Sequence, residues 1–193
     1  MSPLDSAAWE IHTFLTELNV SYAIIGGMAV QQWGEPRFTQ DIDLTVQSPL
    51  EDLEDFISKL IQQFAPRLDD SLAFAQQNRV VLVSASNGYP LDISLGLPGY
   101  EDEVLERSVA VDLEPGKSVK ICSAEDLIIY KAVAGRAQDV RDIEGIVYRQ
   151  GASLDAGYIR KWLKEFSEVI GDSRSIELFE QPWQKVKGAS AEK

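Results

Sequence analysis

Apolar residues recur along this chain at two periods, and the switches between them divide it into elements. Ala8, Ile11, Leu15 and Leu18 are spaced by three and four after Ser2, Pro3 and Asp5. That order matches an N-cap, a first-turn proline and a capping partner, so the chain opens on an amphipathic helix. Tyr22 to Ile25 is a short buried-strand pattern that runs into Gly26-Gly27, and Met28 to Trp33 predicts a short helix stopped by Gly34. After the turn-prone Glu35-Pro36, residues Gln40 to Val46 alternate polar with apolar. Ile42, Leu44 and Val46 therefore take one face of a strand, and Asp41, Asp43 and Thr45 the other.

Ser48-Pro49 followed by Glu51 repeats the helix-start signature, and Leu50, Leu53, Phe56, Ile57, Leu60, Ile61 and Phe64 predict a long core-covering helix. Arg79 to Ala85 and Tyr89 to Leu95 read as strands around Asn87-Gly88, a pair suited to a tight hairpin, so the two should pair antiparallel. In the second, Leu91, Ile93 and Leu95 claim one face and leave Asp92 on the other. A helix over 101–107 and strands over 109–113 and 119–122 follow, then the capping box Ser123-Ala-Glu-Asp126. Helices are predicted over 124–134, 137–149 and 154–170, and the last 20 residues are weakly patterned, fraying into Gly188-Ala-Ser-Ala-Glu-Lys193. The expected fold class is α/β (α+β): a mixed sheet flanked by helices over 1–122, then a helical C-terminal segment over 123–193 that closes a cleft.

Composition narrows the classes. The chain has 193 residues, 45% apolar and 25% charged, which suits one globular domain with at most a small appendage. It contains no run of eighteen apolar residues and opens without a basic flank, so neither a membrane span nor export is expected, and the default compartment is the cytoplasm. The single cysteine, Cys122, sits in the apolar string VKIC and reads as a buried hydrophobe, with no redox or zinc chemistry. His12, the one histidine, has no visible metal or base partner and reads as a bystander. The net charge of −13 opposes a general nucleic-acid coat protein. Residues 1–130 hold seven basic and 21 acidic side chains, whereas 131–193 hold 11 and 10, so a polyanion would meet the C-terminal third first.

Asp41 and Asp43 share a strand face, where two carboxylates about 4 Å apart repel by roughly 4 kcal/mol at an effective dielectric near 20. A divalent cation is the simplest compensation, and all-oxygen ligation with open water positions suits Mg²⁺ acting on a phosphate substrate. Asp92 joins by the same parity, and three such carboxylates leave room for two ions about 3.5–4 Å apart. Gly26-Gly27 lies where a strand ends and a helix begins, so bare backbone and N–H groups can approach phosphate oxygens. The alternative is that these acids are solvated strand residues, the glycines an ordinary turn and Arg37 a surface arginine.

Gly26-Gly27-Met28-Ala29, then Trp33-Gly34-Glu35-Pro36-Arg37-x-Thr39-x-Asp41-Ile42-Asp43-Leu44, resembles the signature of the nucleotidyltransferase superfamily related to DNA polymerase beta. Within it the likeness is to AbiEii-type and related toxin or minimal nucleotidyltransferases. Glu125-Asp126-Leu127-Ile128, Lys131, Ala134, Arg136, Asp139 and Asp142 are similar to the second block of those proteins. The resemblance spans about residues 20–145 and implies a nucleotidyltransferase-type mixed sheet. It implies that Gly26, Gly27 and Met28, with Arg37 and Thr39, contact the nucleotide, and that Asp41 and Asp43 bind Mg²⁺. Asp92 would complete the site as third carboxylate and base, and Lys131 would meet the triphosphate. The implied reaction moves an NMP from an NTP such as ATP to a tRNA end, a protein side chain or a small molecule. A toxin role with a protein antitoxin is implied too.

Met28 departs from the pattern, since many members carry serine after the glycine, and a hydroxyl contact to phosphate is missing. A non-catalytic nucleotide-binding or partner-binding module on the same fold is therefore the rival reading. Arg136, Asp139 and Asp142 either join the site or tether neighbouring cations across helix turns. Arg141, Arg149, Arg160, Lys161 and Lys164 either line an acceptor groove or form solvated faces. Gly116-Lys117-Ser118 is a hairpin turn, not a P-loop, because no glycine stands five residues before Gly116.

Overall fold

The computed structural model describes residues 1–48 and 51–191. In chain order its elements are α1 (Pro3–Glu17), β1 (Tyr22–Ile24), α2 (Gly26–Trp33), β2 (Ile42–Gln47), α3 (Leu53–Gln63), β3 (Ala65–Pro66), α4 (Ser71–Asn78), β4 (Val80–Ser84), β5 (Pro90–Gly96), α5 (Tyr100–Glu106), β6 (Val109–Glu114), β7 (Lys117–Ile121), α6 (Ala124–Ala134), α7 (Ala137–Gln150), α8 (Ala156–Ile170) and α9 (Arg174–Ala191). They form two compact units, one of Met1–Met28 with Phe38–Cys122, the other of Ala29–Arg37 with Ser123–Lys193. The boundary falls inside α2, so the short segment Ala29–Arg37 groups with the C-terminal helices. No helix of the described residues is long and apolar enough to cross a membrane.

The first unit holds the mixed α/β sheet, in the order β3-β4-β5-β2-β1-β7-β6. β2 runs parallel to β5 and antiparallel to β1, and β4 pairs antiparallel with β5 through the Asn87-Gly88 turn. Ile42, Leu44, Val46, Leu91, Ile93 and Leu95 fall on one face by strand parity and are all buried. Ala7, Ala8, Ile11 and Leu15 of α1 and Phe56, Ile57 and Leu60 of α3 are buried too, and Phe14 meets Phe64 edge-on at 5.3 Å. The Ser2 hydroxyl accepts from the Asp5 N–H while the Asp5 carboxylate accepts from the Ser2 N–H, the expected capping box.

In the second unit α6, α7, α8 and α9 pack on one another. Two helices depart from expectation. α3 starts at Leu53, not near Ser48, because the Ser48 hydroxyl donates to the Gly96 carbonyl at 2.8 Å instead of capping a helix. Pro49 and Leu50 lie outside the described residues. The weakly patterned tail carries a further helix, α9, which buries Phe179 and Trp183, stacked at 5.8 Å. α4 and β3 have no counterpart in the sequence pattern.

Candidate active site

β2 and β5 are parallel neighbours whose register sets Asp43 directly opposite Asp92. Both apolar faces point the same way, so both carboxylates point the other way. Asp41 precedes β2 by one residue, and one oxygen from each of Asp41, Asp43 and Asp92 lies within 4.8 Å of the others. Among the described residues this is the one set of three acidic, histidine or cysteine side chains close enough to share an ion, and each is half-buried. Two residues further along the same face Thr45 is only 2% exposed, so the acids stand at an opening bounded on that side by a buried residue.

The glycine pair shapes the floor beneath these acids. The Ile25 N–H donates to the Asp43 carbonyl at 2.8 Å, which sets the end of β1 against β2. Gly26 then turns the chain with a φ of +62°, and a Cβ there would lie 2.0 Å from Asp43 Oδ2. At Gly27 a Cβ would lie 2.3 Å from Thr39 Oγ1. The space two side chains would fill is thus occupied by an acid and a threonine of the next segment. Thr39 Oγ1 donates to Asp41 Oδ1 at 3.1 Å, and the Tyr89 hydroxyl donates to the Thr39 carbonyl at 2.6 Å. Burial first, and the Asp41 charge second, raise the Tyr89 phenol above its ordinary value, so it stays a protonated donor at neutral pH.

α2 begins at Gly26, so its first turn presents N–H groups with no partner inside the helix, beside the acids. A phosphate suits that end of a helix dipole. The all-oxygen donor set suits Mg²⁺, and the cradle that glycine leaves for Asp43 keeps its carboxylate beside the first turn. Asp41, Asp43 and Asp92 therefore fit the ion that the sequence resemblance implies.

One further side chain, Arg67, reaches the acids without any signal in the sequence. Arg67 follows β3, its N–H donates to the Leu82 carbonyl at 3.1 Å, and Leu82 stands opposite Asp92 in the β4–β5 register. Its guanidinium Nη2 forms an ion pair with Asp92 Oδ1. The carrier strand has two residues, too short for any periodic signal.

The other sequence-singled residues lie in the second unit, apart from Met28, which is buried at 6% exposure near the start of α2. Lys131 Nζ sits 2.8 Å from Asp139 Oδ1 and 2.8 Å from Asp142 Oδ2, with all three side chains under 10% exposed. Arg37 grips Asp142 with both fork nitrogens, Nε at 2.9 Å and Nη2 at 3.0 Å, and Gln138 adds a bond at 2.8 Å. Asp139 accepts from the Arg136 backbone N–H at 3.1 Å, which caps α7, while the Arg136 side chain is exposed. Burial would push the Asp142 carboxyl up, but bonds from Arg37, Lys131 and Gln138 outweigh it and hold it below its ordinary value. Arg149 donates to the Gly34 carbonyl at 2.7 Å, Arg160 pairs with Glu180 at 2.5 Å and Lys164 stands 3.9 Å from Glu168.

An antigenic nucleotidyltransferase-like protein from Paracoccidioides brasiliensis has a similar fold: TM-score 0.55 and 17% identity, over 86% of this chain and 87% of that one. The lincosamide antibiotic adenylyltransferase LnuA, in its lincomycin-bound structure, aligns at a TM-score of 0.49 and 14% identity, over 73% of this chain and 94% of its own. No curated protein matches the sequence. Residues 6–176 match the family described as "nucleotidyl transferase of unknown function (DUF2204)". With most of its length inside that match, and a mixed sheet that sets three aspartates beside a glycine turn, the chain belongs to this nucleotidyl transferase family.

Proposed function

We propose that this chain transfers a nucleoside monophosphate from an NTP to a hydroxyl or amine of a small molecule, in an Mg²⁺-dependent reaction centred on Asp41, Asp43 and Asp92. The observation that carries it is the meeting of three carboxylate oxygens within 4.8 Å beside the glycine-led start of α2. Gly26 and Gly27 present backbone N–H groups to the phosphates, and Thr39 holds Asp41 in its orientation. Asp92 takes the acceptor proton as the acceptor attacks the α-phosphorus; the new bond forms there and the bond to the β-phosphate oxygen breaks, releasing pyrophosphate. Mg²⁺ held by the three aspartates supplies neutralisation of the charge on the triphosphate. Arg37, Lys131, Asp139 and Asp142 serve by tying α6, α7 and the segment after α2 together, outside the chemical step.

A polyanionic acceptor such as a tRNA end is disfavoured by the net charge of −13. It is disfavoured too because, among the C-terminal basic residues, Arg160 pairs with Glu180 and Arg149 donates to the Gly34 carbonyl. The test has two stages. Thermal shift with each NTP, ATP first, should show stabilisation that needs Mg²⁺ and is lost in Asp43→Asn. Labelled NTP with fractionated cell extract should then label a small-molecule fraction. Label in tRNA or protein would reassign the acceptor, and binding without transfer would favour a non-catalytic module. A toxin role is supported only by the sequence resemblance; it predicts growth arrest on expression, relieved by Asp43→Asn and by a partner antitoxin.

A further inference from the structure

Arg67 and Asp92 meet in an arrangement that the transfer reaction does not require. Asp92 lies on β5 and Arg67 just beyond β3, with β4 between them. The arginine stem must span that strand, on the face Leu82 shares with Asp92, to bring its fork to Asp92 Oδ1. A guanidinium on Asp92 Oδ1 and a divalent cation on either oxygen of the same carboxylate stand a few ångströms apart and repel. The reading of Asp92 as a metal ligand, on which this inference rests, therefore sets the two in competition.

We propose that Arg67 is a displaceable counter-ion: it occupies Asp92 in the metal-free protein and competes with a divalent cation for that carboxylate as Asp92 joins Asp41 and Asp43. Three observations make the pair releasable. The Arg67 and Asp92 side chains are 31% and 33% exposed, so water screens their attraction and solvates whichever partner is set free. Arg67 hangs from a two-residue edge strand in which Pro66 has no N–H to give the ladder. Its own N–H to the Leu82 carbonyl is among the few bonds fastening that end. The carrier is thus lightly held, in contrast with the fully paired β2 and β5 beneath it. By this arrangement the recruitment of Asp92 to the ion is opposed by the arginine. The completed three-carboxylate site is a state reached on loading.

Mn²⁺ binding to the full-length chain, followed by electron paramagnetic resonance without nucleotide, tests this directly. Arg67→Ala should bind Mn²⁺ about fivefold more tightly than wild type, the scale of removing one screened charge, and Arg67→Gln should do the same. Arg67→Lys, which keeps the charge but not the fork, should fall between. In an Asp92→Asn background the tightening should vanish, because the competitor then has no shared ligand to contest. Affinity in both neutral variants equal to or weaker than wild type would overturn the proposal, as would tightening that survives Asp92→Asn. Wild-type Mn²⁺ binding abolished by Asp43→Asn yet indifferent to Arg67 sinks this inference alone. A wild-type chain that binds no Mn²⁺ removes the metal reading and this inference with it.

Discussion

Two clusters of aspartates use the same side chain in opposite ways. In the sheet unit, Asp41, Asp43 and Asp92 crowd within 4.8 Å and stay half-exposed, a repulsive arrangement that gains from an added cation. In the helical unit, Asp139 and Asp142 are 6% and 4% exposed and are matched by Lys131 and Arg37, two charges against two. The first cluster is costly to the bare protein and useful to a ligand, whereas the second is satisfied from within and useful to the fold. The type of residue did not distinguish them. Burial did: the second set is nearly closed to solvent and the first is not.

The sharpest way to break the contrast is to neutralise one acid from each side. Asp43→Asn should lower nucleotidyl transfer by on the order of 10³-fold, while stability stays within about 1 kcal/mol of wild type because a repulsion is relieved. Transfer assays beside urea melts check both. Asp142→Ala should show the reverse, a loss of about 3–5 kcal/mol in urea unfolding, since Lys131 and Arg37 are left near an emptied site. The pH dependence sharpens it. Because the folded Asp142 carboxyl titrates below its ordinary value of 3.8, its stabilisation is complete above that value. It is lost as pH falls from there through the lowered folded value. Asp142→Asn should therefore flatten the acid limb of stability below a pH of about 4, read from urea midpoints.

Smaller effects probe the scaffold of the first cluster. Gly26→Ala forces a side chain into a φ of +62° and onto Asp43 Oδ2, so it should cost about 1–3 kcal/mol and weaken Mn²⁺ binding in the same variant. Tyr89→Phe removes the bond to the Thr39 carbonyl and should cost about 1 kcal/mol, with a few-fold loss of Mn²⁺ affinity. A Tyr89→Phe protein with wild-type affinity would show that the Thr39 segment holds Asp41 without help.

What was legible in the sequence follows from the range of each interaction. The alternation at 41–46 and 90–95 is a local pattern, and it set Asp41, Asp43 and Asp92 on one kind of face before any fold was known. That Asp43 stands beside Asp92 is a matter of strand order, which parity does not contain. Arg67 was illegible for the same reason, because its link to Asp92 runs through the β3–β4–β5 register. Lys131 was read against the triphosphate, and its neighbours Asp139 and Asp142 belong to the next helix, so only the packing of α6 on α7 shows where its ammonium goes. α9 hid because Pro182 and Gly188 interrupt its pattern, and its clue was the i, i+4 pair Phe179 and Trp183.

The Asn87-Gly88 hairpin turn carries a further implication. It fixes how β5 is phased against β4, and Tyr89 and Asp92 both follow within five residues of it. Most surface turns tolerate an added or deleted residue. Here a slip of one position would send Asp92 to the buried side and pull the tyrosine off the Thr39 carbonyl. Chain length at this bend therefore sets where Asp92 falls, and a single-codon insertion there should weaken Mn²⁺ binding with Asp41, Asp43 and Asp92 all retained.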